Sequence, residues 1–331
     1  MRIASRRPLA SSTPLGGLLA YGLIAGLLVA VAAFVALRFA GNSGAPAAGR
    51  PSLTLADAFG LGGLRSMVPD GIANAPSPAT HDAIVTYYGS PRTPSMGILG
   101  QHAPDEAADL LAERAARFEA LSDGTPVLPA LHLVYAVAQP QARSDGLYLQ
   151  YLDDRTVRQY IELARRRGFA LILDLQIGHS NALAEVQKIA PYLEEPDVFV
   201  ALDPEFALAG SVKPGDAIGS IDASDINAVQ WYLAALTAQR HLPKKMLIVH
   251  QFQAEMITGA AAIERHDDVD LVIDMDGYGP ADIKEAKYAR YGAAPYAAFG
   301  GIKVFLQHDP DPLTEAQLMQ LRPRPSLFVY Q

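Results

Sequence analysis

The chain has 331 residues, half of them hydrophobic and 19% charged, with a formal net charge of −8 and no cysteine. Without cysteine there are no disulfides, no zinc–thiolate centres and no lipid attachment through a lipobox thiol. All five basic residues among the first 50 are unopposed by acids, so the remainder holds 22 of the 27 basic residues against all 35 acids. An acidic body of this kind does not suit polyanion binding, and nucleic acid is not an expected partner.

Residues 1–14 form a basic leader containing Arg2, Arg6 and Arg7. Residues 15–37, "LGGLLAYGLIAGLLVAVAAFVAL", carry no charge and no proline, and about 20 apolar residues suffice to cross a bilayer as a helix. Secretory signal cores are shorter, about 7–15 residues, so the expectation is an uncleaved single-pass anchor. Cleavage near "APAA" (Ala45–Ala48) is the alternative. The basic leader predicts a cytoplasmic N-terminus with the C-terminal domain outside the cell membrane. Residues 38–81 are rich in Gly, Ala, Pro and Ser at their start and read as a flexible linker.

From residue 82 onward, short apolar runs alternate with helical patterns, the signature of parallel strands joined by crossover helices. Candidate strands are 83–88, 130–137, 170–177, 198–203, 246–251, 271–276, 302–308 and 326–331. A helix is predicted from Pro104 to about Leu121, opened by proline and acids. Another follows Asp153 as N-cap and ends at Gly168. Ser180, and Ser224 or Asp225, are N-cap candidates for the next two, and shorter helices are expected near 255–265, 281–290 and 314–320. Eight strands over 82–331 predict an α/β fold, a (β/α)8 TIM-type barrel whose last helix is missing or replaced. An open doubly wound sheet is the rival, but "YYGSPRTPSMGILG" after the first strand has no GxGxxG phosphate loop.

Catalytic groups of such barrels sit at the C-terminal ends of the strands, where residues i and i+2 share a face. The third candidate strand ends in Asp174 and Gln176, the fourth in Asp203 and Glu205, the sixth in Asp274 and Asp276. His250 and Gln251 end the fifth, Gln307 and His308 the seventh, and Tyr330 with Gln331 the eighth. Unpaired carboxylates are costly to bury, so repeated acids beside apolar runs predict a shared polar cup at one mouth. Any one of them also fits a helix cap or a turn.

The motif "ALDPEF" resembles the strand-four D-x-E of barrel glycoside hydrolases acting on amino sugars, the chitinase-like enzymes and barrel-fold muramidases. That resemblance implies Glu205 as general acid and Asp203 as its orienting neighbour. "MDGYG", with Asp276 and Tyr278, is similar to the acid or tyrosine those families place nearby. The longer chitinase motif is absent, since Ala201 and Val198 stand where it has further acids. Two residues on one strand rise about 6.6 Å along the same side, so a second catalytic carboxylate is expected from another strand: Asp274 or Asp276, then Asp174.

Tyr87, Tyr88, Tyr135, Tyr278 and Tyr330 are candidate sugar-stacking residues, with Gln176, His250, Gln251, Gln307 and His308 as polar substrate contacts. The expected activity is hydrolysis of a glycosidic bond in a cell-wall or extracellular polysaccharide, with no cofactor and no metal. Two alternatives stay open. One is a barrel that binds polysaccharide without cutting it. The other is a metal-dependent hydrolase using His179, His250 or His308 with aspartates, although neither HxH nor HExxH occurs.

Overall fold

The computed structural model describes residues 81–331, so the leader, the predicted span and nearly all of the linker lie outside the described residues. Among the described residues no helix is long and apolar enough to cross a membrane.

In chain order the elements are β1 (Ala83–Gly89), α1 (Ile98–Gln101), α2 (Pro104–Glu119), β2 (Val127–Ala138), β3 (Leu149–Tyr151), α3 (Asp154–Arg167), β4 (Ala170–Gly178), α4 (Ala182–Lys188) and α5 (Ala190–Leu193). Then follow β5 (Val198–Ala207), β6 (Ile221–Asp222), α6 (Ala223–Arg240), β7 (Lys245–His250), β8 (Ile257–Thr258), β9 (Val269–Met275), α7 (Ala281–Lys287), β10 (Phe299–Val304), α8 (Glu315–Gln320) and β11 (Leu327–Tyr330).

Strands β1, β2, β4, β5, β7, β9, β10 and β11 pair in that order, all parallel, and β11 pairs back onto β1 through Ile84–Leu327 to Tyr87–Tyr330. The sheet is therefore a closed eight-stranded barrel. Following the register from Ile84 across each neighbour and back returns to β1 eight positions away, the shear of a (β/α)8 barrel. β3 adds antiparallel to the upper end of β2, and β6 and β8 form a separate parallel pair.

The strand period of two divides the apolar residues into two cores. Ile84, Ala130, Ile172, Phe199, Ile248 and Val329 fill the barrel interior, whereas Val85, Leu131, Leu173, Val200 and Leu247 face the helices. Near the top of β2 the register shifts between Val134 and Ala136. Val134 points into the interior core while Tyr135 and Ala136 both join the outer one, as a β-bulge requires.

The start and stop signals of α3 are those read from the sequence: Asp153 accepts from Thr156 N at 2.8 Å, and Gly168 adopts a left-handed φ of 67°. Two caps differ. Asn181, not Ser180, caps α4, and Asp222 caps α6, with Asp225 reaching back to the Asp222 amide. The helix expected near 255–265 does not form. Gly259 turns left-handed there (φ 63°), and the segment is two short 3-10 turns around β8. The seventh barrel strand stops at Val304, because Asp309 Oδ2 accepts from Phe305 N at 2.9 Å and closes residues 305–309 into a turn.

Candidate active site

Several inward rows begin apolar low in the barrel and become polar near their C-terminal ends. On β4 the row runs Ala170, Ile172, Asp174, Gln176, and on β5 it runs Phe199, Ala201, Asp203, Glu205. β7 delivers His250 above Ile248, and β9 delivers Asp274 above Val272, with Asp276 two residues further. Two inward residues were not anticipated. His132 of β2 lies between inward Ala130 and Val134, and Lys303 of β10 follows inward Phe299 by four residues. The usable signal was parity alone.

These groups converge. Asp174 Oδ2 lies 2.9 Å from His132 Nε2 and 2.8 Å from His250 Nε2. On its other side His250 Nδ1 lies 3.1 Å from Asp274 Oδ2 and 3.3 Å from Asp276 Oδ2, at ion-pair distance but too oblique for a hydrogen bond. Lys303 Nζ is 4.0 Å from Asp276 Oδ2 and 3.6 Å from the centre of the Tyr88 ring, an ammonium over an aromatic face. Tyr88 also meets both imidazoles edge-on. Gln176 donates to Asp203 Oδ2 at 3.4 Å while its own carbonyl accepts from Ala138 N.

Burial and charge divide the carboxyl groups into different states. Burial opposes ionisation of Asp174, but the charge of His250 and hydrogen bonds from both imidazoles outweigh it and hold its carboxyl well below the usual range. His250 is correspondingly driven far above an ordinary imidazole: burial opposes the charge, but Asp174 beside it prevails. Burial pushes His132 the other way and keeps it neutral. Asp203 is raised well above the carboxylate range, chiefly by burial and then by the charges of Asp276 and Asp174, against the pull of His250. Burial also raises Asp276, with His250 and Lys303 opposing. Glu205 is the least buried of the set, and burial and the charge of Asp276 raise its proton affinity.

Not every residue expected at the mouth is there. Tyr87 and Tyr330 face outward, packing edge to face against each other, with Phe118 and Arg114 of α2 against Tyr330. Tyr135 is turned out by the bulge onto Tyr151 and Tyr192. Gln251 is buried and held by the Tyr296 hydroxyl at 2.8 Å. Gln307 and His308 are exposed in the turn after β10 rather than on a strand. His179 lies 2.7 Å from the Val212 carbonyl, away from the acids, so neither it nor His308 joins His250 in one cluster. Tyr278, just beyond β9, is 69% exposed, with Phe305 and His308 as ring neighbours.

No family model matches the chain, and no curated protein is similar to it. Among solved structures, a hyperthermophilic endo-beta-1,4-glucanase in complex with substrate aligns over 75% of this chain and 88% of its own at 9% identity, with a TM-score of 0.36. A likeness that distant carries no argument about this chain, and the barrel assignment rests on its own closure and shear.

Proposed function

We propose that the protein hydrolyses a glycosidic bond, with Glu205 as general acid and Asp276 as the opposing carboxylate. The observation that carries this reading is the position of Glu205. It alone among the inward acids is only partly buried at the mouth, and its proton affinity is raised by burial and by Asp276. A carboxyl group whose proton affinity is raised is suited to deliver its proton to a leaving oxygen. Asp276 stands beside Lys303 and His250, whose charges oppose the rise that burial gives its proton affinity, and it faces the sugar or the attacking water. Asp203 accepts from the Glu205 amide at 3.1 Å and so fixes the backbone that carries the acid.

In this reading residues 15–37 anchor the chain, the barrel faces a cell-wall or extracellular polysaccharide, and Tyr278 offers a ring to a sugar. The test is the full chain in detergent, assayed against chitin-, peptidoglycan- and glucan-derived oligosaccharides. Glu205→Gln is expected to lower turnover by about 10²–10⁴ while leaving binding in place. Binding without release by the unaltered chain would replace the hydrolase with a non-catalytic polysaccharide-binding barrel.

A further inference from the structure

The centre of the cup crowds four buried acids around few cations. Asp174, Asp203, Asp274 and Asp276 are each no more than 7% exposed, and the cations within reach are His250 and Lys303. Several buried carboxylate oxygens have no partner: Asp174 Oδ1, Asp274 Oδ1 and Asp276 Oδ1, while Asp274 Oδ2 has only the ion-pair contact with His250. Leaving one such group unsatisfied costs about 1–3 kcal/mol, and more when it is charged. These buried oxygens are acceptors that a bound cation would serve.

Three donor atoms mark where that charge fits. His132 Nε2, Asp174 Oδ2 and His250 Nε2 come from three different strands and lie within 4.8 Å of one another, all fully buried. Around a tetrahedral zinc with bonds of about 2.0–2.1 Å, neighbouring donors stand about 3.3 Å apart. The nitrogen–oxygen distances of 2.9 and 2.8 Å would widen by a few tenths of an ångström, and the two imidazole nitrogens, within 4.8 Å of each other, would settle near the same spacing around the ion. Behind His250, Asp274 and Asp276 face the second ring nitrogen, which is how carboxylates orient a ligating imidazole. Asp274 supplies the independent observation: it is wholly buried against His250, and its Oδ1 has no partner.

We infer that His132, Asp174 and His250 bind one divalent transition-metal cation of the zinc type, with Asp274 and Asp276 orienting His250 from behind. Two nitrogens and one carboxylate oxygen suit zinc, cobalt or manganese better than calcium or magnesium. Three protein donors leave a further coordination position for water or substrate. None of the three donors carries the acid or the attacking role of the hydrolytic reading, and the two readings share only Asp276, which lies behind His250.

The test uses the untagged full chain in detergent, stripped with a chelator and titrated with Zn²⁺ by calorimetry and with Co²⁺ by visible absorption. Binding of one equivalent is expected, with the d–d bands of a four- or five-coordinate cobalt site. His132→Ala should abolish both signals, and Asp274→Asn should weaken binding about 10–100-fold, with circular dichroism reporting whether each variant folds. If His132→Ala fails to fold, the cobalt spectrum of the unaltered chain still decides. Less than a tenth of an equivalent bound, or an octahedral cobalt spectrum unchanged by Asp274→Asn, overturns the inference. Metal bound with no oligosaccharide cleaved would remove the hydrolytic reading alone. Cleavage by a chain that takes up no metal would remove this one alone.

Discussion

Gly301 of β10 lies directly opposite Asp274 of β9 in the strand register, and a Cβ at residue 301 would stand 2.8 Å from Asp274 Oδ1. The glycine occupies an inward position where every other side chain would push into the acid cluster. Gly301→Ala is expected to displace Asp274 and destabilise the barrel by about 1–3 kcal/mol, in the range for overpacking. Urea denaturation measures the destabilisation and oligosaccharide turnover the displacement of Asp274. An alanine variant as stable and active as the parent would show that Asp274 has room to move.

Lys303 sets the proton affinity of Glu205 from a neighbouring part of the cup. Burial and Asp276 raise it, and Lys303 lowers it. Removing the ammonium in Lys303→Met therefore raises it further. A general acid works while protonated, so the alkaline limb of the pH profile of kcat/KM should move to higher pH. An alkaline limb that stays in place or moves down would separate Glu205 from the acid step.

At the opposite end of the barrel Lys245 is buried with its ammonium 2.6 Å from the Glu195 carbonyl and 3.0 Å from that of Val198. Burial pulls its pKa down to about 7, against the nearby charges of Asp197 and Glu195. Between about pH 7 and the unfolded value near 10.4, the unfolded chain carries the proton that the folded chain has released. Stability therefore rises with pH across this window, by at most about 1.4 kcal/mol per unit, and is lost as pH falls back toward 7. Lys245→Met should flatten that slope between about pH 7 and 9.5, below the range in which tyrosines titrate. Denaturation midpoints at several pH values would detect it.

Tyr278 offers the cleanest separation of binding from folding. Its ring is largely exposed and touches only Phe305 and His308 among aromatic groups. Tyr278→Ala should leave the melting temperature unchanged within about 0.5 kcal/mol of stability. It should raise KM several-fold while kcat changes little. A fall in kcat at constant KM would place the ring in the chemistry instead of the substrate cleft.

Much of the barrel was legible because its strands are continuous apolar runs and its helices carry punctuation such as Asp153 and Gly168. The inward acids were legible for the same reason, since a carboxylate at the end of an apolar run is anomalous on its face. His132 and Lys303 were not, because each sits within its strand, where a single polar residue reads as ordinary. The tyrosines misled for a physical reason. Period two assigns faces only relative to a reference, and the bulge near Val134 removes that reference for Tyr135. Tyr87 and Tyr330 lie next to inward Tyr88 and Gln331, one position out of phase.

Closure of β11 onto β1 means that no contiguous stretch of the chain contains the cup. Tyr88, His132, Asp174 and Glu205 belong to the first four barrel strands, and His250, Asp274 and Lys303 to the last four. A break between β5 and β7 would leave two incomplete halves, each with unsatisfied strand edges and only part of the chemistry. Such fragments would regain the polar centre only by reassembling with each other, so the chemistry belongs to the complete circuit.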